Sequence, residues 1–232
     1  MPNSTQPLSK AAAFDALPPV WPEDLLASNR EAAADSTLVV LDDDPTGTQT
    51  VSNISVITAW DGPTLQSELA AAPACFYILT NSRSLSADAS RALHRELATN
   101  LRAASAATQR PIVVASRSDS TLRGYYPLET DTLASVLGPY DATFLSPYFE
   151  AGGRYTLADI HYVAEGDTLV PAAATPFARD AAFGYRSSHL PAWVEEKTAG
   201  RIGAAAVATL SLDLIRRGGP VAVAEKLRAL PR

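Results

Sequence analysis

The chain is short of lysine, histidine and sulfur. Of its 232 residues three are lysine (Lys10, Lys197, Lys226), three are histidine, and cysteine and methionine occur once each. No lysine stands in a glycine-rich context, and neither Gly-x-x-x-x-Gly-Lys-Ser/Thr nor Gly-x-Gly-x-x-Gly occurs, so no nucleotide-phosphate loop is legible. His94, His161 and His189 have no metal-ligand spacing, and a lone cysteine rules out a zinc-binding cysteine cluster. Cys75 has no partner for an internal disulfide. Within the apolar run Cys75-Phe76-Tyr77-Ile78-Leu79 it reads as a buried structural thiol, as expected in a reducing compartment. No run approaches ~18 consecutive apolar residues, so a helical membrane span is not expected. The N-terminus lacks a basic flank followed by an apolar stretch, and a cytoplasmic location is expected. Positive charge is also in deficit: 19 Lys+Arg against 25 Asp+Glu leave −6, the wrong sign for a nucleic-acid partner.

What remains is a globular composition, 47% hydrophobic. Residues 1–36 alternate Pro, Ala and Ser, and Pro18-Pro19-Val20-Trp21-Pro22 breaks any regular element, so they read as an N-terminal arm. From residue 37 the pattern changes. Thr37–Leu41, Ile54–Thr58, Cys75–Leu79, Pro111–Ala115 and Ala142–Leu145 read as strands. Ser86 caps a helix to Thr108 with Ala89, Leu93, Leu97 and Leu101 on one stripe, and His94 reads as a surface or boundary residue of it. Alternating strands and helices predict an α/β fold: a three-layer α/β/α sandwich with a mostly parallel, Rossmann-like sheet over residues 37–232. Beyond Pro147, Tyr155–Val163 suggests an outer strand or hairpin, Pro191–Lys197 a short helix and Ile202–Leu210 another strand, with helical stretches following.

Polar clusters follow the predicted strands, where open parallel sheets place their ligand crevices. Asp42-Asp43-Asp44-Pro45-Thr46-Gly47 puts three carboxylates in a row, which repel unless donors, a metal or a hydroxylated ligand compensates. Thr80-Asn81-Ser82-Arg83-Ser84 and Ser116-Arg117-Ser118-Asp119-Ser120-Thr121-Leu122-Arg123-Gly124 set guanidinium groups among hydroxyls, a receptor for carboxylate or phosphate. Asp119 or Ser120 also suits the cap of a helix from Leu122 towards Leu137. Ser146 to Arg154 adds Gly152-Gly153 and Arg154. His161 reads as a strand residue bonded to its neighbours.

Asp42-x-Asp44-x-Thr46-Gly47-Thr48 also looks like the first motif of haloacid-dehalogenase-type phosphatases, with Asp42 as nucleophile and Asp44 as acid/base. The later lysine and the second acidic pair of that site are missing. A wider match runs from residue 37 onward. Asp43-Asp44-Pro45-Thr46-Gly47, Thr80-Asn81-Ser82-Arg83, Asp119 to Gly124 as Asp-Ser-Thr-Leu-Arg-Gly, Pro147 to Arg154, His161-Tyr162-Val163 and Phe177-Ala178-Arg179-Asp180 follow in order. In this series the sequence resembles the N-terminal domain of the four-carbon acid sugar kinase family.

The resemblance implies an ATP-dependent kinase for four-carbon sugar acids such as threonate, erythronate or 3-oxo-tetronate. Its N-terminal domain takes the acid, and ATP and Mg²⁺ bind mainly a C-terminal nucleotide-binding domain. The present chain would then be the acid-binding half, excised or encoded as a fragment, inactive without that partner domain, with a homodimer possible. The other reading is a stand-alone hydroxy-acid binding or regulatory module. The site residues implied are Asp43, Asp44 and Asp119 against hydroxyls, one of them the base, with Thr46, Gly47, Ser82, Arg83, Arg117, Ser120, Arg123, Gly124 and Arg154 around the acid. Thr50 and Ser116-Arg117 stand where many members carry Asp and Lys, and Asp42 and Pro45 where many carry Ala and Leu, which suggests an altered substrate preference.

Overall fold

In the computed structural model, which describes residues 6–48 and 51–231, most apolar runs picked out above become strands. The chain order is β1 (Leu8–Ser9), α1 (Lys10–Asp15), α2 (Leu26–Ala33), β2 (Thr37–Asp42), β3 (Ser55–Ile57), α3 (Gly62–Ala70), β4 (Cys75–Leu79), α4 (Ala87–Thr108), β5 (Ile112–Arg117), α5 (Leu128–Leu137), β6 (Arg154–Leu157), β7 (Ile160–Glu165), β8 (Thr168–Pro171), α6 (Leu190–Lys197) and α7 (Gly219–Arg228). These elements divide between two units. One holds Leu25–Asp119 and Gly124–Tyr140; the other holds Met1–Asp24, Ser120–Arg123 and Asp141–Arg232.

The first unit carries the parallel sheet, in the order β3-β4-β2-β5. Strand β2 runs parallel to both neighbours, with Asp42 in register with Leu79 on one side and Arg117 on the other. Val39, Leu41, Phe76 and Ile78 alternate onto one face, where they bury against Leu65 and Leu69 of α3, Leu97 and Leu101 of α4 and Leu133 of α5. The Ser86 hydroxyl accepts from the Ala89 N–H at 3.3 Å and starts α4. On the opposite face Leu38, Val56 and Val113 are exposed, and α2 is exposed along its length. The α/β class and the mostly parallel sheet are as expected.

The second unit is organised around an antiparallel sheet, order β1-β8-β7-β6. Ala158 and Asp159 join β6 to β7 with φ of +47° and +64°, the pair of positive values that a two-residue turn needs to match strand twist. Tyr155, Ile160, Tyr162 and Leu169 form the core, with Phe14 of α1 set edge-on to Tyr155 at 5.0 Å. Residues 8–15, expected within an irregular arm, thus supply an edge strand and a helix, the latter capped by Ser9.

Two expected strands are absent. Ala142–Leu145 has no strand partner and leaves Phe144 73% exposed, while Ile202–Leu210 contains only a 3-10 turn at Ala204–Ala206. Local β preference does not create a strand without a neighbour for its backbone groups. The helix expected from Leu122 starts at Leu128 after Pro127, so neither Asp119 nor Ser120 caps it. Burial raises the Cys75 thiol above its ordinary value, in keeping with a structural role. Among the described residues no helix is long and apolar enough to cross a membrane. Phe76 is fully buried where β4 meets the helices. Phe76→Ala is expected to cost about 3–5 kcal/mol in denaturant unfolding, and a loss below about 1 kcal/mol would contradict this core assignment.

Candidate active site

The site begins with a topological fact. Strand β2 is flanked by β4 and β5, so the chain leaves its carboxyl end at the point where the connections diverge, the usual place for a crevice in an open α/β sheet. The three strand ends are laced together there. The Asp42 carbonyl accepts from the Thr80 N–H and hydroxyl, both at 2.9 Å; the Asp43 N–H donates to the Arg117 carbonyl, and the Arg83 N–H to the Asp43 carbonyl.

Each carboxylate of the turn finds its own partner. Asp42, fully buried, accepts from Arg117 Nη1 at 2.9 Å through Oδ1, while its buried Oδ2 has no hydrogen-bond partner. Asp43 is gripped by two nitrogens of the Arg83 fork, Nε to Oδ2 at 3.0 Å and Nη2 to Oδ1 at 2.5 Å, and accepts from Ser118 Oγ at 2.9 Å. The third nitrogen, Nη1, reaches Asp44 Oδ2 at 3.2 Å. Asp44 Oδ1 accepts from the N–H and the hydroxyl of Thr46. Arg83 therefore spans two adjacent carboxylates, with Asp119 also contributing to its electrostatic environment. Side-chain exposure is 20% for Arg83 and 28% for Asp44, against 2% for Asp43. The outer carboxylate and the guanidinium are the parts that a ligand can reach.

Two glycines are required by close approach. A Cβ on Gly47 would lie 1.9 Å from both Asp42 Oδ2 and Arg117 Nη1, inside the ion pair. Gly124, at φ +141°, brings its backbone onto Ser118 and Asp43; a Cβ there would meet Ser118 Oγ at 1.9 Å.

Sequence reasoning missed the layer beneath. Glu129, at the start of α5, is buried and accepts from Ser82 Oγ at 2.7 Å and Ser90 Oγ at 3.1 Å. His94, expected near the surface, is buried with Nε2 3.7 Å from Glu129. Its position was legible: residues 90, 94, 97 and 101 share one helical stripe, and that stripe is the core-facing one. Glu129 carries no comparable signal.

The remaining predicted residues belong to the antiparallel unit. Arg123 Nε donates to Thr121 Oγ1 at 3.1 Å, its Nη1 lies 3.7 Å from Asp180, and its guanidinium sits 5.1 Å from the Phe177 ring centroid. The Arg154 guanidinium lies 5.5 Å from the same ring. Ser120 offers its carbonyl to His161 Nε2 at 2.7 Å, and Thr121 its carbonyl to the Tyr185 hydroxyl. His161 is thus held by its neighbours, as expected for a structural residue, with Thr156 Oγ1 at 2.9 Å from Nδ1. Thr50 lies outside the described residues.

A family model described as a sugar-binding N-terminal domain matches residues 38–232. The chain belongs to that family. The match agrees with the resemblance carried by the ordered motifs. No curated protein matches the chain. Two solved structures are similar, both of a domain of unknown function (DUF1537) from Bordetella bronchiseptica with bound citrate, a domain-swapped dimer in two crystal forms. Each is 26% identical and covers 68% of this chain, with TM-scores of 0.49 and 0.48. The chain corresponds to only 39% and 40% of their lengths.

In this sugar-binding domain the two adjacent acids of the turn differ in proton affinity. Burial raises the Asp43 carboxyl above its ordinary value; Arg83 and Ser118 only partly offset it, and the charge of Glu129 adds to the rise. Hydrogen bonds from Thr46 hold Asp44 below its ordinary value, against a smaller burial effect. Their stability contributions therefore have opposite signs. Asp44 stabilises above the ordinary carboxylate value and loses this as pH falls through its folded value; Asp43 stabilises below the ordinary value and loses this as pH rises through its folded value. In a carboxyl ¹³C titration with rising pH, Asp44 is expected to ionise before Asp43, and the reverse order would contradict the assignment.

Proposed function

We propose that this chain is the acid-sugar-binding half of an ATP-dependent kinase acting on four-carbon sugar acids of the threonate, erythronate or 3-oxo-tetronate type. The observation that carries the reading is the Arg83 fork laid across Asp43 and Asp44 at the carboxyl end of β2, in a chain whose family is sugar-binding. A sugar acid offers a carboxylate and several hydroxyls. Its receptor needs a guanidinium for the first and carboxylates for the others. Here both stand side by side, and the half-exposed Asp44 is the acid that a hydroxyl can reach.

The roles follow from exposure and partners. Arg83, held from behind by Asp43, orients the acid. Asp44 Oδ2 accepts from the substrate hydroxyl and is placed to take its proton as the oxygen attacks phosphorus. Asp119 completes the polar lining on this unit, while Ser82 is fully buried and turns inward to Glu129. Arg117 keeps Asp42 neutralised, and Gly47 and Gly124 let the backbone close on those pairs. Ser120, Arg123 and Arg154 belong to the antiparallel unit, where the two guanidinium groups share Phe177. The sequence carries no phosphate loop, and among the described residues no group of three or more His, Cys, Asp or Glu could hold a metal ion, which supports giving ATP and Mg²⁺ mainly to another domain. We assign both to a C-terminal nucleotide-binding domain, so the fragment alone is expected to bind acid without phosphorylating it.

Calorimetry with threonate and erythronate, each with and without ATP, tests the division of labour. Binding of one of these acids, with no detectable heat from ATP, is expected; ATP affinity in this chain, or no affinity for either acid, would overturn it. Arg83→Lys is expected to weaken the bound acid about tenfold, because a point charge replaces a planar fork. Unchanged affinity in a folded Arg83→Lys variant would remove Arg83 from the site.

A further inference from the structure

The Asp43–Arg83 pair accounts for the exposed side of the site, but not for what fixes the segments from which its donors leave. Asp43 has two side-chain partners, Arg83 and Ser118. Arg83 sits in the 3-10 turn Ser82–Ser84, and Ser118 just beyond the end of β5. Neither segment owes its place to the sheet ladder alone. In each, a serine near the functional residue turns inward to one common acceptor. Ser82, next to Arg83, donates to Glu129 Oε1 at 2.7 Å; Ser116, two residues before Ser118, donates to Glu129 Oε2 at 3.4 Å. The helix α4 joins the same acceptor through Ser90 Oγ at 3.1 Å, with His94 Nε2 3.7 Å away. His94 is itself oriented by the Ser90 carbonyl, 2.8 Å from Nδ1.

A carboxylate in such a place is costly unless its oxygens are bonded. Glu129 is buried among hydroxyls supplied by three different elements, whereas leucine or methionine would fill the volume without that demand. A buried acid tied to the turn that carries Arg83 and to the strand end before Ser118 has a use that packing does not explain.

We infer that Glu129 is a positioning residue of the candidate site: through Ser82 it fixes the turn that presents Arg83, and through Ser116 the strand end that presents Ser118, so that both donors meet Asp43. The inference rests on the acid-binding reading for its functional meaning, while its structural content can be tested without any ligand. Glu129 does not touch the substrate in this account. What it requires is an acceptor, so glutamine should serve in its place and a side chain of similar length without an acceptor should not.

The experiment compares Glu129→Gln, Glu129→Met and Ser82→Ala in the 232-residue chain by the NMR signal of the Arg83 Nε–H, whose bond to Asp43 should slow its exchange with water. Glu129→Gln is expected to retain the slowly exchanging signal. Glu129→Met and Ser82→Ala should lose its protection about tenfold or more, as expected when a hydrogen bond to a charged group is released. Packing alone would leave Gln and Met alike, so equal protection in both, or full protection in Ser82→Ala, would overturn the inference. Should Glu129→Met fail to fold, Ser82→Ala carries the same test with a much smaller change. Titration of the same variants with erythronate and threonate separates the two claims. Wild type that binds neither acid, with protection still lost in Ser82→Ala, keeps the positioning role and removes the acid-binding reading. Wild type that binds an acid, with protection intact in Ser82→Ala, does the reverse.

Discussion

Two adjacent carboxylates cannot be buried at the end of one strand unless each is met by a positive charge or a set of donors of its own. Asp42 and Asp43 impose that condition here, since one ends β2, the other follows it, and both are removed from water. Arg117, the last residue of β5, answers the first, and Arg83, in the turn that follows β4, the second. The parallel order is what makes this possible. With Leu79 and Arg117 both in register with Asp42, the ends of β4 and β5 lie level with the acidic turn, and Arg117 and the turn carrying Arg83 can reach it without long excursions.

From that constraint the rest of the site follows. Arg83, needed to neutralise Asp43, has a third nitrogen to spare, and this reaches the more exposed Asp44. The result is a guanidinium beside a solvent-facing carboxylate, which suits a small anion bearing hydroxyls. Glycine at positions 47 and 124 is a consequence of the same crowding, because a side chain would occupy the Asp42–Arg117 ion pair at the first and the Ser118 hydroxyl bonded to Asp43 at the second. The hydroxyls around Glu129 tie the turn after β4 to the end of β5 from beneath.

Much of this was legible in the sequence, and the reasons are local. Apolar runs ending in charge marked β2 and β4, and Ser86 marked the start of α4, because burial and capping leave their signatures within a few residues. Asp43, Asp44 and Arg83 stood out because polar clusters directly after buried strands have few structural reasons to exist. What was not legible depends on pairing across long separations. Ala142–Leu145 has a strand's composition but no neighbour. Leu8–Ser9 looks like irregular leader, yet pairs with β8 some 160 positions away. The run Asp119 to Gly124 reads as one motif, but Ser120–Arg123 groups with the antiparallel unit while its flanking residues group with the parallel one. Glu129 is invisible for a further reason. A glutamate in the first turn of a helix is the ordinary choice on a solvated surface, and only the folded chain shows the serines of three elements around it.

A small hydroxylated anion is proposed to lodge where Arg83 spans Asp43 and Asp44. The most direct measurement is a structure of the chain with erythronate or threonate bound. The acid's carboxylate is expected within hydrogen-bonding distance of the Arg83 guanidinium, with a hydroxyl on Asp44. An acid bound elsewhere on the molecule, with the Arg83 bridge untouched, would contradict it.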